Sequence, residues 1–331
     1  MRVLVTGGAG FVGAQLVRRL LQAGHAVSML DDFSTGRRSL PQGIRVIEGD
    51  VRDKATVRSA IHDQEAVFHL AAVVGVPHAI HRQWDSLTTN MLGTVEILQA
   101  IEGRDIPLLL CSSSAVYGKT PRVPVGEEDD VVLGNTHLPS WTYSYAKLVE
   151  ELLARSAARE RGIGVKIVRL FNVIGPGQTG RYGMVVPRFV ARALVGHPLP
   201  VYGDGRQTRT FTDVHDAIAG ILLVWERGAW GDVYNVGGQE EITILGLAER
   251  IISLTASRST IQLLPYRSVF GDDFEETQRR VPAIDRVRAL GYQPRISLDE
   301  TISSIARWLA SAEGRAVERT LADDAHELPA P

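Results

Sequence analysis

Tyr143 and Lys147 stand four positions apart in a stretch whose pattern is helical, which puts a phenol and an ammonium one turn apart on one face. A free tyrosine, with a pKa of about 10, is a poor base at neutral pH, but a neighbouring cation favours its phenolate. Such a pair could take a proton from an alcohol, more readily beside the positive ring of an oxidised nicotinamide. Tyr145 has no such companion, because position 149 is Val149. The run Cys111-Ser112-Ser113-Ser114 adds hydroxyls at the end of an expected strand, at the sheet edge where open α/β folds bind ligands. One of them could bridge a substrate oxygen and Tyr143, while the others suit a turn in which they satisfy backbone groups.

Glycines at 7, 10 and 13, in Gly7-Gly8-Ala9-Gly10-Phe11-Val12-Gly13, follow an expected strand and open an expected helix. In that setting the first permits a tight turn and the second lets backbone N–H groups approach a pyrophosphate. The third lets the helix pack closely on the strand with its positive end toward the phosphates. The next strand ends at Asp31-Asp32, where a carboxylate can accept hydrogen bonds from an adenosine ribose. A carboxylate there repels a 2′-phosphate, and Arg37 and Arg38 lie further into the loop, so the pattern predicts NAD rather than NADP.

These groups need a scaffold that brings distant chain positions together. Over the first 170 residues short β-branched runs alternate with longer amphipathic stretches, the pattern of a doubly wound parallel sheet of the α/β class. Strands are expected at 2–6, 26–30, 45–47, 66–70, 108–112 and 165–170. Helices are expected at 11–23, with Val12, Leu16, Leu20 and Ala23 on one face, at 92–102, and at 143–160, with Leu148, Leu152 and Leu153 on one side. After Asn172 the run Gly175-Pro176-Gly177-Gln178-Thr179-Gly180 is loop chemistry. It marks the expected end of a Rossmann-type nucleotide-binding domain, 1–172, to which segments near 208–235 return. Residues 173–312, with helices near 185–195, 214–227 and 244–255, would form a smaller substrate-binding cap, and 313–331 a flexible tail.

The 331 residues suffice for a core and a ligand cleft together. Lys and Arg total 36 against 38 Asp and Glu, a net charge of −2 with no polybasic tract, which argues against nucleic acid or an anionic membrane surface as partner. The single Cys111 cannot form an internal disulfide, and the chain runs from Met1-Arg2-Val3 into glycines before a signal core develops, so a cytoplasmic protein is expected. No apolar run approaches the roughly 20 residues of a membrane-spanning helix. No metal is expected, since His78 and His81 lack a third ligand at suitable spacing. Glu127 to Asp130, four acids after Pro124, suit a solvated loop.

Taken together, the chain resembles the extended short-chain dehydrogenase/reductases that act on nucleotide sugars. The stretches that carry the resemblance are Thr6-Gly7-Gly8-Ala9-Gly10-Phe11-Val12-Gly13, Gly49-Asp50-Val51-Arg52-Asp53, His69-Leu70-Ala71-Ala72, Ser112-Ser113-Ser114-Ala115-Val116-Tyr117-Gly118, Tyr143-x-x-x-Lys147, Arg169-Leu170-Phe171-Asn172-Val173-Ile174-Gly175-Pro176-Gly177 and Gly203-Asp204-Gly205-Arg206-Gln207-Thr208-Arg209. The resemblance implies that Asp50 and Val51 meet the adenine, that Leu70, Ala71, Ala72 and Asn90 contact the cofactor, and that Lys147 also holds the nicotinamide ribose. It puts the catalytic hydroxyl at Ser113, with Ser114 beside the sugar, and gives Asn172, Arg209 and Arg280 to a nucleotide diphosphate. A planar guanidinium fork suits that last task on its own chemistry. The resemblance further implies a homodimer paired through the helices at 92–102 and 143–160.

Within that group dehydratases carry an acidic pair after the hydroxyl residue, and sugar-acid decarboxylases typically a glutamate just before Val-Tyr-Gly. Here those places are Ser114 and Ala115. Epimerisation needs only the oxidation machinery, so the expected reaction is inversion of C4 of a UDP-sugar through a transient 4-keto intermediate, with Tyr143 as base and NAD as hydride acceptor. UDP follows from the resemblance alone. UDP-glucose/galactose and UDP-glucuronate/galacturonate are both candidates, because Pro139-Ser140-Trp141-Thr142-Tyr143 and Gly180-Arg181-Tyr182-Gly183-Met184 resemble segments found in members that handle either. The alternatives are a UDP-glucuronate decarboxylase and, apart from enzymes, a non-catalytic NAD-binding sensor, which would not need the Tyr–Lys pair.

Overall fold

Strands that are apolar on both sides must be covered on both sides, and the arrangement found here follows from that. The structure is a computed structural model and describes residues 1–38, 40–75, 80–180, 183–271, 274–311 and 314. Its first eleven strands run, in chain order, β1 (Arg2–Thr6), β2 (Ala26–Asp31), β3 (Arg45–Glu48), β4 (Ala66–His69), β5 (Leu108–Ser113), β6 (Val165–Leu170), β7 (Val173–Ile174), β8 (Leu199–Tyr202), β9 (Thr208–Thr210), β10 (Thr212–Asp213) and β11 (Val233–Val236). The first six and β11 make one seven-stranded sheet, ordered β11-β6-β5-β4-β1-β2-β3, with every pairing parallel. The longer helices are α1 (Phe11–Gln22), α2 (Lys54–Ile61), α3 (Gln83–Ile101), α4 (Thr142–Arg161), α5 (Val185–Leu194), α6 (Val214–Arg227), α7 (Ile244–Leu254) and α8 (Leu298–Ala310).

Successive residues of β1 point to opposite faces of the sheet. Val3 and Val5 enter a core with Leu16 of α1 and Ile218 of α6, whereas Leu4 enters another with Ile61 of α2, Ile97 of α3 and Ala154 of α4. This is the Rossmann-type α/β architecture that the alternating pattern predicts. Strand order reverses between β1 and β4, and a crevice opens outside the carboxyl ends of the strands there. A further core, with Phe189 of α5, Leu199 of β8, Leu247 of α7 and Ile302 of α8, gathers elements that follow Asn172.

The expected strands all form, with ends shifted by at most a residue or so. β11 was foreseen only as a return of the chain to the sheet, and it is an edge strand beside β6. Helix α3 starts nine residues before its expected beginning at Leu92, because its first turns bury polar side chains, Ser86 and Asn90, that an apolar-stripe reading passes over. Ala23 is exposed instead of joining Leu16 and Leu20. On α4 the expected leucine side is not the inward one. Leu152 is 57% exposed, and the buried side carries Ala146, Lys147, Glu150, Glu151, Ala154 and Ala157. Charges that satisfy one another replaced the apolar stripe there. The expected tail, 313–331, lies outside the described residues apart from Gly314.

Candidate active site

The glycine loop joins β1 to α1 with Gly7 at φ +68°, a conformation L side chains rarely adopt. A Cβ on Gly7 would come within 2.6 Å of the Ala71 nitrogen, and one on Gly13 within 2.1 Å of the Gly7 carbonyl oxygen, so α1 lies directly on the turn. Gly10 offers no side chain to cap α1. The first N–H groups of that helix are therefore open to an anion, which fits the pyrophosphate of NAD.

Gly7, Gly10, Phe11, Val12 and Gly13 line one end of a cleft of about 1880 Å³ that follows the carboxyl edge of the sheet. Asp31, Asp32, Asp50, Val51, Leu70, Ala71 and Ala72 line it too. Asp31 accepts from the Ala9 and Phe33 N–H groups at 2.9 Å each. Burial pushes its carboxyl up, against those two bonds. Arg38 is engaged by Glu48 at 2.7 and 3.0 Å, and Arg37 donates to the Gly177 carbonyl and lies over Trp308. Neither cation is turned to a ribose phosphate, and the end of the cleft beside Asp31 fits NAD. Asn90 departs from its expected place. It is buried off the cleft wall, where its Oδ1 accepts from the Val73 N–H at 2.8 Å and so fixes the wall from behind.

At the middle of the cleft β5 delivers Ser113 and α4 delivers Tyr143 and Lys147. The Ser113 hydroxyl accepts from the Ala115 N–H at 3.1 Å, which aims it as a turn cap, while Ser114 is buried beside it. Lys147 donates to the Cys111 carbonyl and to the Glu150 carboxylate, both at 3.0 Å. Burial pushes the Tyr143 phenol up, and Lys147 and the Ser113 hydroxyl act against that burial. Burial alone would lower Lys147, yet Glu150 and Tyr143 hold it above its ordinary value. Behind them the Arg169 guanidinium binds Glu151 at 2.7 Å and the Tyr117 hydroxyl at 2.8 Å, and Ser112 donates to Glu151, which locks β5, β6 and α4 together.

Farther along, Asn172, Arg209 and Arg280 line the same cleft. Asn172 is pinned through its Nδ2 to the Thr210 carbonyl at 2.8 Å. Arg209 pairs with Glu276, and Arg280 donates to Thr277 at 2.9 Å while its buried Nε has no protein partner. Burial and the neighbouring Arg209 push Arg280 down to about 10, a tension that an anion between the two would relieve. Tyr266, Phe270 and Phe274 stack beside them, with ring centroids 4.4–6.4 Å apart. The sequence reading missed these rings, although their spacing of four is visible in the chain. It also missed Glu150, Glu275 and Glu276. Among the described residues no three His, Cys, Asp or Glu side chains gather as a metal site. His78, Arg181 and Tyr182 lie outside the described residues.

A family model described as NAD dependent epimerase/dehydratase family matches residues 3–237. The chain is 36% identical over 319 residues to UDP-N-acetyl-alpha-D-glucosaminuronate decarboxylase of Bacillus cytotoxicus, covering 94% of this chain and 98% of that protein. It is 34% identical to UDP-glucuronic acid decarboxylase 1 of Danio rerio, over 93% of this chain and 72% of that one. Among solved structures it is similar to the Thermus thermophilus UDP-glucose 4-epimerase in complex with NAD, with a TM-score of 0.84, 27% identity, and 94% and 100% of the two chains covered.

Proposed function

Because the chain belongs to the NAD dependent epimerase/dehydratase family, we propose that it is an NAD-using enzyme that oxidises C4 of a UDP-hexuronate and then removes its carboxyl group, a UDP-uronate decarboxylase. Tyr143, as the phenolate that Lys147 favours, takes the C4 hydroxyl proton and becomes the neutral phenol, and the Ser113 hydroxyl holds the sugar oxygen. Gly7, Gly10, Gly13 and Asp31 hold NAD, which supplies the acceptor for the C4 hydrogen. Arg209 and Arg280 take the diphosphate, and the Tyr266, Phe270 and Phe274 rings suit a planar base.

The 4-keto form of a uronate is a β-keto acid. Its C5–C6 bond breaks with the electron pair moving toward the C4 oxygen, where the Tyr143 and Ser113 hydroxyls can donate. C5 then takes a proton from water, and Tyr143 returns its own as the ketone is reduced. The loss of carbon dioxide is driven by the ketone itself, so Ser114 and Ala115 do not exclude it. The sequence alone favours epimerisation because those positions lack an acid. The relatives weigh toward the second of its readings.

The Tyr143–Lys147 pair, with Lys147 buried and Tyr143 on the wall of the cleft that Arg209 and Arg280 also line, carries the assignment to nucleotide-sugar oxidation. A C4 epimerase is the second reading, supported by Ala115 and by the likeness to a 4-epimerase fold. The pair also speaks against a sensor without chemistry. Incubation with UDP-glucuronate, UDP-N-acetylglucosaminuronate and UDP-glucose, followed by NMR, separates the readings. Carbon dioxide with a UDP-pentose supports decarboxylation, whereas C4 epimers with the carbon count unchanged would replace it with epimerisation. A homodimer through α3 and α4 and a cytoplasmic site of action belong to the same proposal. No described helix is long and apolar enough to cross a membrane.

A further inference from the structure

Helix α4 places Tyr143, Lys147 and Glu150 on one side, and the last two have side chains only 3% and 0% exposed. Glu150 binds Lys147 at 3.0 Å through Oε2, and its buried Oε1 has no hydrogen-bond partner. The adjacent Glu151 is accounted for by Arg169 and Ser112, as a tie between strands and helix. Glu150 makes no such tie to a strand, so its contact with Lys147 calls for a separate explanation. From the structure we infer that Glu150 is a positioning residue for the reacting pair, one that fixes the Lys147 ammonium beneath Tyr143 and opposes ionisation of the phenol.

The surrounding groups leave that role to Glu150. On β4, burial and Lys147 push His69 down to about 3, so it is neutral. Its ring lies 3.2 Å from the Thr94 hydroxyl of α3. Thr94 donates to the Asn90 carbonyl at 2.9 Å, and its hydroxyl also faces Glu150, where it favours the ionised carboxylate against burial. On β5, burial pushes the Cys111 thiol up to about 12. Glu151 faces the same space, but its charge is met by Arg169 of β6. Among the described groups facing this corner, Lys147 is the cation and Glu150 its counter-charge. A negative charge this close to the phenol favours the protonated form, so Glu150 works against the activation that Lys147 provides. Burial in turn lifts the Glu150 carboxyl to about 7, which makes that opposition weaker in acid and stronger in base. The third Lys147 proton remains available to the phenol or to a ribose hydroxyl.

The inference rests on Tyr143 and Lys147 being the reacting pair. Its test is a phenol titration on NAD-free protein, read as the ultraviolet difference between the parent chain and Tyr143→Phe, and repeated in Glu150→Gln and Glu150→Asp backgrounds. The expected result is that Glu150→Gln lowers the Tyr143 midpoint by about one to three pH units, with Glu150→Asp staying near the parent value. The acid limb of kcat/KM should shift by the same amount. An unchanged midpoint in Glu150→Gln would overturn the inference. If that variant does not fold, Glu150→Ala takes its place with the same reading: a lowered Tyr143 midpoint supports the inference and an unchanged one overturns it. Full turnover by Tyr143→Phe would instead remove the proposed reaction and leave the titration result standing.

Discussion

A phenol partly withdrawn from water is a weaker acid than a free one, and Tyr143 becomes usable because a cation and a hydroxyl act against that desolvation. Tyr143→Phe keeps the ring and removes the proton carrier. Turnover should fall by about 10²–10⁴-fold with NAD affinity little changed, measured by NMR of products and by cofactor titration. His69 makes a different prediction. Its native pKa of about 3 lies below the unfolded value of 6.5, so the unfolded chain binds the extra proton, and stability rises with pH between those values. The parent should lose about 2 kcal/mol between pH 7 and pH 5 that His69→Gln does not lose, in urea midpoints taken at both pH values. The spacing of Tyr143 and Lys147 made the pair legible in the sequence, as did the serine at the end of β5. Glu150 was not legible because α4 was read by its leucines, and a charge pointing into the core looks on paper like one pointing into solvent. Asn90 was assigned to the cofactor, whereas it braces the wall behind it.

Among elements, the turn between β1 and α1 is the least forgiving. A Cβ at position 13 would press on the Gly7 carbonyl, which belongs to backbone and cannot swing aside. Gly13→Ala should therefore push α1 off the turn, lower stability by about 1–3 kcal/mol and abolish NAD binding, checked by thermal melts with and without the cofactor. Position and residue type alone announced this element. The start of α3 was hidden for the opposite reason: its buried turns bear Ser86, Asn90 and Thr94, polar side chains that leave no apolar stripe to count.

For the molecule as a whole, the parallel sheet was readable from alternation, but the reaction was not, because one oxidation site serves several fates of a ketone. Pairing in solution is testable at the surface. Leu92 of α3 and Leu152 of α4 are 49% and 57% exposed on the two helices expected to meet a second copy. Leu152→Glu should convert a dimer into a monomer in sedimentation while the isolated chain stays folded. The sheet has one further consequence. Its last strand, β11, is supplied by chain that has already left for the other core and come back, and it covers the flank of β6 from Ile167 to Leu170. A fragment ending at residue 172 would bare that flank, a row of unsatisfied amides on a Val- and Leu-rich ribbon, and should collect in inclusion bodies rather than survive as a graftable cassette.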